Sequence, residues 1–299
     1  MMAATTTRIQ DPTSHPTYEI PHLAEEVDWL VQTVSKYYAA PDELDRILSS
    51  AMSFLSRWWW GIAACPAAAT AGATTTPPML LIKAEDFVVT AAAMWIAAKL
   101  EGVASMTLPV LVHEVMMRIV LEEPLPAVEP LRRAIRWTES AMVAALYRGG
   151  GFYRPTPWQY LEVLVHNSTG LVQEGMRTRS GRCKAPRQGP SPQCLEDFAR
   201  LVHRCCLGQV WYWDGDPIKV ALTLALAVAQ MLNLEDGATD AIWKAARKMM
   251  CGGEDDDEKK EPSQEDAAAS IGKVMDAVNS EISKGKRSVI LPAFASINY

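Results

Sequence analysis

The sequence predicts an all-α protein built as two tandem five-helix units. Apolar residues recur with helical spacing from His22 nearly to the end, and alternation with period two is almost absent. Each half also contains one helix that is apolar on every side and stands third in order, as a central helix touched by several neighbours should.

The elements follow in order. A first helix carries Leu23, Val27, Leu30, Val31, Val34 and Tyr38 on one stripe, and a second carries Leu44, Ile47, Leu48, Ala51, Leu55 and Trp58. Residues 61–78, rich in Ala, Thr and Pro, break this pattern and predict a surface loop. The third helix, from Phe87 to Ala98, is apolar all round and small at Ala91, Ala92, Ala93, Ala97 and Ala98; Gly102 supplies its stop. Stripes of Leu108, Leu111, Val112, Val115 and Ile119, then Val128, Leu131, Ile135, Met142 and Leu146, complete the first unit before three glycines at 149–151.

The second unit opens at Thr156, where Pro157 and Gln159 complete a capping-box signature for a helix carrying Trp158, Leu161, Val165 and Leu171. A basic loop at 176–193 leads to the stripe Leu195, Phe198, Val202 and Cys205. Asp216 and Pro217 start an Ala-rich apolar helix through Leu232, the counterpart of the earlier third helix. Ala238, Ile242, Ala245 and Met249 mark the fourth helix, and Ala268, Ile271, Met275, Val278 and Ile282 the fifth, with an acidic linker at 254–262 between them. The predicted organisation is an N-terminal extension 1–21, a first unit 22–152 with an insertion at 61–80, a second unit 153–284, and a C-terminal tail 285–299.

Composition narrows the function. A net charge of −6 across 299 residues argues against a nucleic-acid binder, because neutralising phosphates requires an excess of Lys and Arg. The most apolar stretch, from Val220 to Leu232, falls short of the roughly 20 residues needed to cross a bilayer, and no signal-peptide pattern opens the chain, so no membrane association is expected. Six cysteines without a CxxC pair predict reduced thiols in the cytosol or nucleus. His203 and Cys206, one turn apart, lack a second ligand pair and predict core or surface residues rather than a metal site. His113 beside Glu114 predicts a surface pair, and glycines 149–151 lack the strand and GxxxxGK[ST] pattern of a phosphate cradle. The arginines and lysines of loop 176–193 predict a solvated segment, with RNA, an acidic peptide or a phosphorylated loop as the alternative contacts. No paired acids, nucleophile with its base, or metal ligands converge, so no enzyme activity and no cofactor are expected.

Several segments sharpen the reading. Residues 49–60 (SSAMSFLSRWWW) resemble the second helix of a cyclin box, which ends in a basic residue followed by aromatics; Arg57 occupies that basic place. Residues 90–101 (TAAAMWIAAKLE) resemble the family's third-helix signature, a small-residue run ending in Lys, an apolar residue and Glu. Residues 135–158 (IRWTESAMVAALYRGGGFYRPTPW) resemble the fifth helix with its internal Glu and the turn that opens a second box. Residues 201–230 look most like the second box of transcription-type cyclins. The chain departs from the pattern at Gly102, where a second acid is usual, in both insertions, and in lacking the Met-Arg-Ala-Ile-Leu docking motif of cell-cycle cyclins.

The resemblance to two tandem cyclin boxes implies a regulatory subunit that binds a cyclin-dependent Ser/Thr protein kinase as a heterodimer, in the nucleus, in transcription or phosphorylation of the RNA polymerase II C-terminal repeat. It further implies that Lys99 and Glu139 clamp the kinase's movable regulatory helix, with Leu100, Glu101, Ser140 and Val143 completing the docking surface. Taken singly, Lys99 is also an ordinary complement to a helix C-terminus and Glu139 an ordinary solvated charge. The alternative reading is a TFIIB-like general transcription factor, which also uses two cyclin folds but grips DNA and polymerase; the acidic balance and the missing zinc-ribbon cysteines weigh against it.

Overall fold

A computed structural model describes residues 23–37, 40–64, 82–119, 128–148, 154–166, 192–232, 234, 236–250 and 264–283. The described residues are mostly helical and contain no strand. The predicted N-terminal extension, most of the 61–80 insertion, glycines 149–151, nearly all of loop 176–193, linker 254–262 and the tail lie outside them.

The helices are α1 (Leu23–Tyr37), α2 (Pro41–Ala64), α3 (Ile82–Leu100), α4 (Leu108–Ile119), α5 (Val128–Arg148), α6 (157–166), α7 (Pro192–Cys206), α8 (Val210–Asp214), α9 (Pro217–Met231), α10 (Asp236–Met250) and α11 (Gln264–Ser283). Helix α3 contacts α1, α2, α4 and α5, while α9 contacts α7, α8, α10 and α11. These two helices, apolar on every side over most of their length, are thus the hubs of their groups. Their alanines explain how: Ala91, Ala92, Ala93, Ala97, Ala221, Ala225 and Ala227 are all buried, and side chains this small let neighbouring backbones approach from every side.

The elements differ from the sequence reading in places, and α3 begins at Ile82 rather than Phe87. Helix α2 continues through Gly61 to Ala64, because one interior glycine costs only about 1 kcal/mol and the residues after it are good helix formers. The aromatic turn before α9 closes into a short sixth helix of the second group, α8, in which Tyr212 is fully buried. Other local signals appear as expected. Asp216 caps α9 by accepting from the Ile218 and Lys219 backbone N–H groups, with Pro217 in the first turn. At α6 half of the capping box forms: Gln159 Oε1 accepts from the Thr156 N–H at 3.0 Å, while the buried Thr156 hydroxyl has no partner.

Helix α3 ends in a left-handed turn. Gly102 has φ +70°, and the Val103 N–H bonds back to the Ala98 carbonyl at 2.9 Å, closing orphan acceptors of the last turn. Gly102→Ala should therefore lower stability by about 1 kcal/mol through backbone strain alone, since a Cβ here would meet nothing within 4 Å. A urea titration followed by circular dichroism reads this, and Gly102→Asn should cost less.

The first group also contains one ill-solvated acid. Glu26 on α1 is buried, its Oε2 has no hydrogen-bond partner, and burial, with Asp86 and Glu25 near it, pushes its carboxyl up to about 8. The folded state therefore holds a proton that the unfolded chain releases near pH 4.5. Stability from this group is fully present below pH 4.5 and is lost as pH rises to about 8. Glu26→Gln should flatten that decline and raise the urea midpoint at pH 8 above that of the unaltered chain.

Candidate functional site

The site is built where the end of α3 meets the middle of α5. The Schellman turn at Gly102 terminates α3 so that Lys99 and Leu100 occupy its last turn at the surface. Leu131, Ile135, Met142 and Leu146 bury one side of α5 and leave Glu139 at the border between core and solvent.

Lys99 Nζ donates to Glu139 Oε1, joining the two residues across the helices. The lysine side chain remains 48% exposed and the glutamate 19%, so each keeps hydrogen-bonding capacity directed outward. Lys99 Nζ also lies 4.5 Å from the centroid of the Trp95 ring, one turn earlier on α3. Sequence reasoning misses Trp95; its i, i+4 spacing to Lys99 is the signal that could have found it.

The other expected members divide. Leu100 is 43% exposed, and Val143 stands half-buried one turn beyond Glu139. Ser140 is exposed, and its hydroxyl donates to the Arg136 carbonyl at 3.0 Å. Glu101 is bound inward: its Oε1 accepts from Ser50 Oγ of α2 at 3.0 Å, which ties the end of α3 to its neighbour. Tyr147, 76% exposed and two turns past Glu139, extends the same side of α5.

A second polar assembly, absent from the sequence reading, crosses between the two helix groups. Asp45 of α2 is fully buried and binds Arg204 of α7 in fork geometry, Oδ1 accepting from Nε at 2.7 Å and Oδ2 from Nη2 at 3.2 Å. Arg200, one turn earlier, lies 3.6 Å from the same carboxylate. Beside this, the buried His203 ring bonds Tyr212 OH through Nδ1 at 2.7 Å and Ser49 Oγ through Nε2 at 3.1 Å, with the Trp158 ring centroid 4.7 Å away. Burial, with Arg204 beside it, lowers the pKa of His203, and a neutral ring can accept from one hydroxyl and donate to the other.

His203 is therefore a satisfied core residue, and among the described residues no group of three His, Cys, Asp or Glu could hold a metal. The Ser49–His203–Tyr212 chain is enclosed and offers a substrate no access. The expected surface pair His113–Glu114 is half corrected. His113 is exposed, but Glu114 is buried and ties α4 to α1, accepting from Lys36 Nζ and Tyr37 OH, each at 2.8 Å. Burial alone would raise its pKa, yet those two hydrogen bonds hold the carboxyl below its ordinary value.

No helix among the described residues is long and apolar enough to cross a membrane. No protein-family model matches the chain, and no curated protein sequence matches it.

Proposed function

We propose that the chain is a cyclin: a regulatory subunit whose Lys99–Glu139 platform captures the movable regulatory helix of a cyclin-dependent Ser/Thr protein kinase and holds it in the active position. The observation that carries this is the bridge itself. Two charged residues 40 positions apart, taken from sequence resemblance alone, meet at the surface beside an exposed leucine.

The chemistry suits the task. Lys99 has three donor hydrogens and Glu139 two acceptor oxygens, so the pair can satisfy each other and still bond backbone groups at the end of a partner helix. Leu100, Val143 and Tyr147 supply apolar contact around them. Activation is then a population shift, in which a subunit that binds only the inward helix position lets the kinase's own Lys and Glu pair and organise the ATP phosphates. Moving a mostly inactive kinase to a mostly active one takes about 5 kcal/mol of differential binding, within reach of a standard-sized interface.

The likeness of residues 201–230 to transcription-type cyclins favours a nuclear kinase acting on the RNA polymerase II C-terminal repeat. Affinity purification of the chain with identification of the co-purifying kinase tests both parts. Recovery of a cyclin-dependent kinase active on that repeat is the expected result. Recovery of polymerase and promoter DNA without a kinase would point to the transcription-factor reading instead.

A further inference from the structure

Trp95 stands one turn before Lys99 on α3, half-buried and packed against the core. Packing alone calls only for a large apolar side chain there, and leucine or methionine would answer it. What those residues lack is a ring face. In this chain that face is in use: the Lys99 ammonium lies 4.5 Å from the ring centroid, inside the range over which the quadrupole of an indole attracts a cation.

Helix geometry sets the arrangement. Side chains on an α-helix lean toward its N-terminus, so Lys99 reaches back over the turn that carries Trp95 and brings its head to the indole. From the other side Glu139 of α5 accepts a hydrogen bond from the same ammonium. The lysine is thus held between a ring seated on the core and a carboxylate on a neighbouring helix, while 48% of its side chain stays open to solvent. An exposed ion pair alone holds a lysine weakly, because the entropy of ordering a long side chain offsets most of the Coulomb gain. A second contact on the ammonium changes that balance. The head is confined before any partner arrives, and its freedom is not lost again on binding.

We propose that Trp95 is a positioning residue of the platform: its ring face holds the Lys99 ammonium against Glu139, so that the donor is in place ahead of docking. The docking half of this rests on the function proposed above, and the positioning half does not. Trp95 acts through Lys99 rather than on the partner.

The test uses the full chain, isotope-labelled at lysine Cε, and reads the Lys99 Hε protons by nuclear magnetic resonance; Lys99→Arg identifies their signal by removing it. In the unaltered chain the signal should lie upfield of free lysine, because ring current shields protons above an aromatic face. Trp95→Phe should keep it upfield, whereas Trp95→Met and Trp95→Leu, apolar but without a ring, should return it to the free-lysine position with unchanged circular dichroism. A Lys99 signal at the free-lysine position in the unaltered chain, or one that the two ringless variants leave upfield, would overturn the inference. With isolated cyclin-dependent kinase catalytic subunits as the partner, the ringless variants should raise the half-stimulating concentration of the chain about threefold to fivefold without changing the maximum, and Trp95→Phe should not. An unchanged half-stimulating concentration would overturn the docking half. A chain that stimulates no kinase, its lysine signal still upfield and ring-dependent, would overturn the proposed function and the docking half together and leave the positioning of Lys99 by Trp95 standing.

Discussion

Asp45→Ala should lower the stability of the chain by about 3–5 kcal/mol, because it leaves Arg204 with a buried, uncompensated charge and strips Arg200 of one of its partners. The fork geometry makes this more costly than losing a surface pair, which is worth at most about 1 kcal/mol. Arg200 keeps Asp197 at 3.1 Å and Glu196 at 3.8 Å, so the main deficit falls on Arg204. The arginines that lose their partner stand on α7 and the lost carboxylate on α2, so the junction between the two helix groups should loosen first. Urea unfolding at neutral pH reads the energy, and limited proteolysis should show earlier cleavage between the groups. Arg46→Ala supplies the control: its bond to Glu162 at 3.0 Å crosses the same junction but is exposed, and its loss should cost under about 1 kcal/mol.

Exchanging the platform charges, Lys99→Glu with Glu139→Lys, should leave helix content and urea midpoint within about 1 kcal/mol of the unaltered chain, since the pair is solvent-facing and can re-form in reverse. Under the proposed function, binding to the kinase subunit should nevertheless fall by at least about 100-fold, near 3 kcal/mol, because donor and acceptor would face the wrong groups of the partner helix. Calorimetric titration separates the two effects. A large loss of binding with an unmoved unfolding curve is the signature of a docking surface. Unchanged affinity would remove Lys99 and Glu139 from the interface.

How far the sequence reaches can be read from individual residues. The hubs α3 and α9 are legible because an alanine-rich helix without a polar face admits only a central position. Gly102 and Asp216 are legible because cap chemistry is local, fixed by a few adjacent residues. Lys99 and Glu139 are reached through family resemblance, since nothing in their spacing says that residues 40 apart will touch. The Asp45–Arg204 fork is beyond reach: its partners are 159 residues apart, and helical periodicity reports which face a residue occupies, not what waits across from it. Glu114 is misread for the same reason. Its place on α4 looks solvated until Lys36 and Tyr37 arrive from α1.

The most direct measurement is peptide phosphorylation by isolated cyclin-dependent kinase catalytic subunits, each assayed with and without the purified chain on an RNA polymerase II C-terminal-repeat substrate. If the chain is a cyclin, at least one kinase should be stimulated about 100-fold or more, and the Lys99→Glu, Glu139→Lys chain, folded to the same degree, should fail to stimulate it. Stimulation that survives the charge exchange, or none from any kinase in the set, would contradict it.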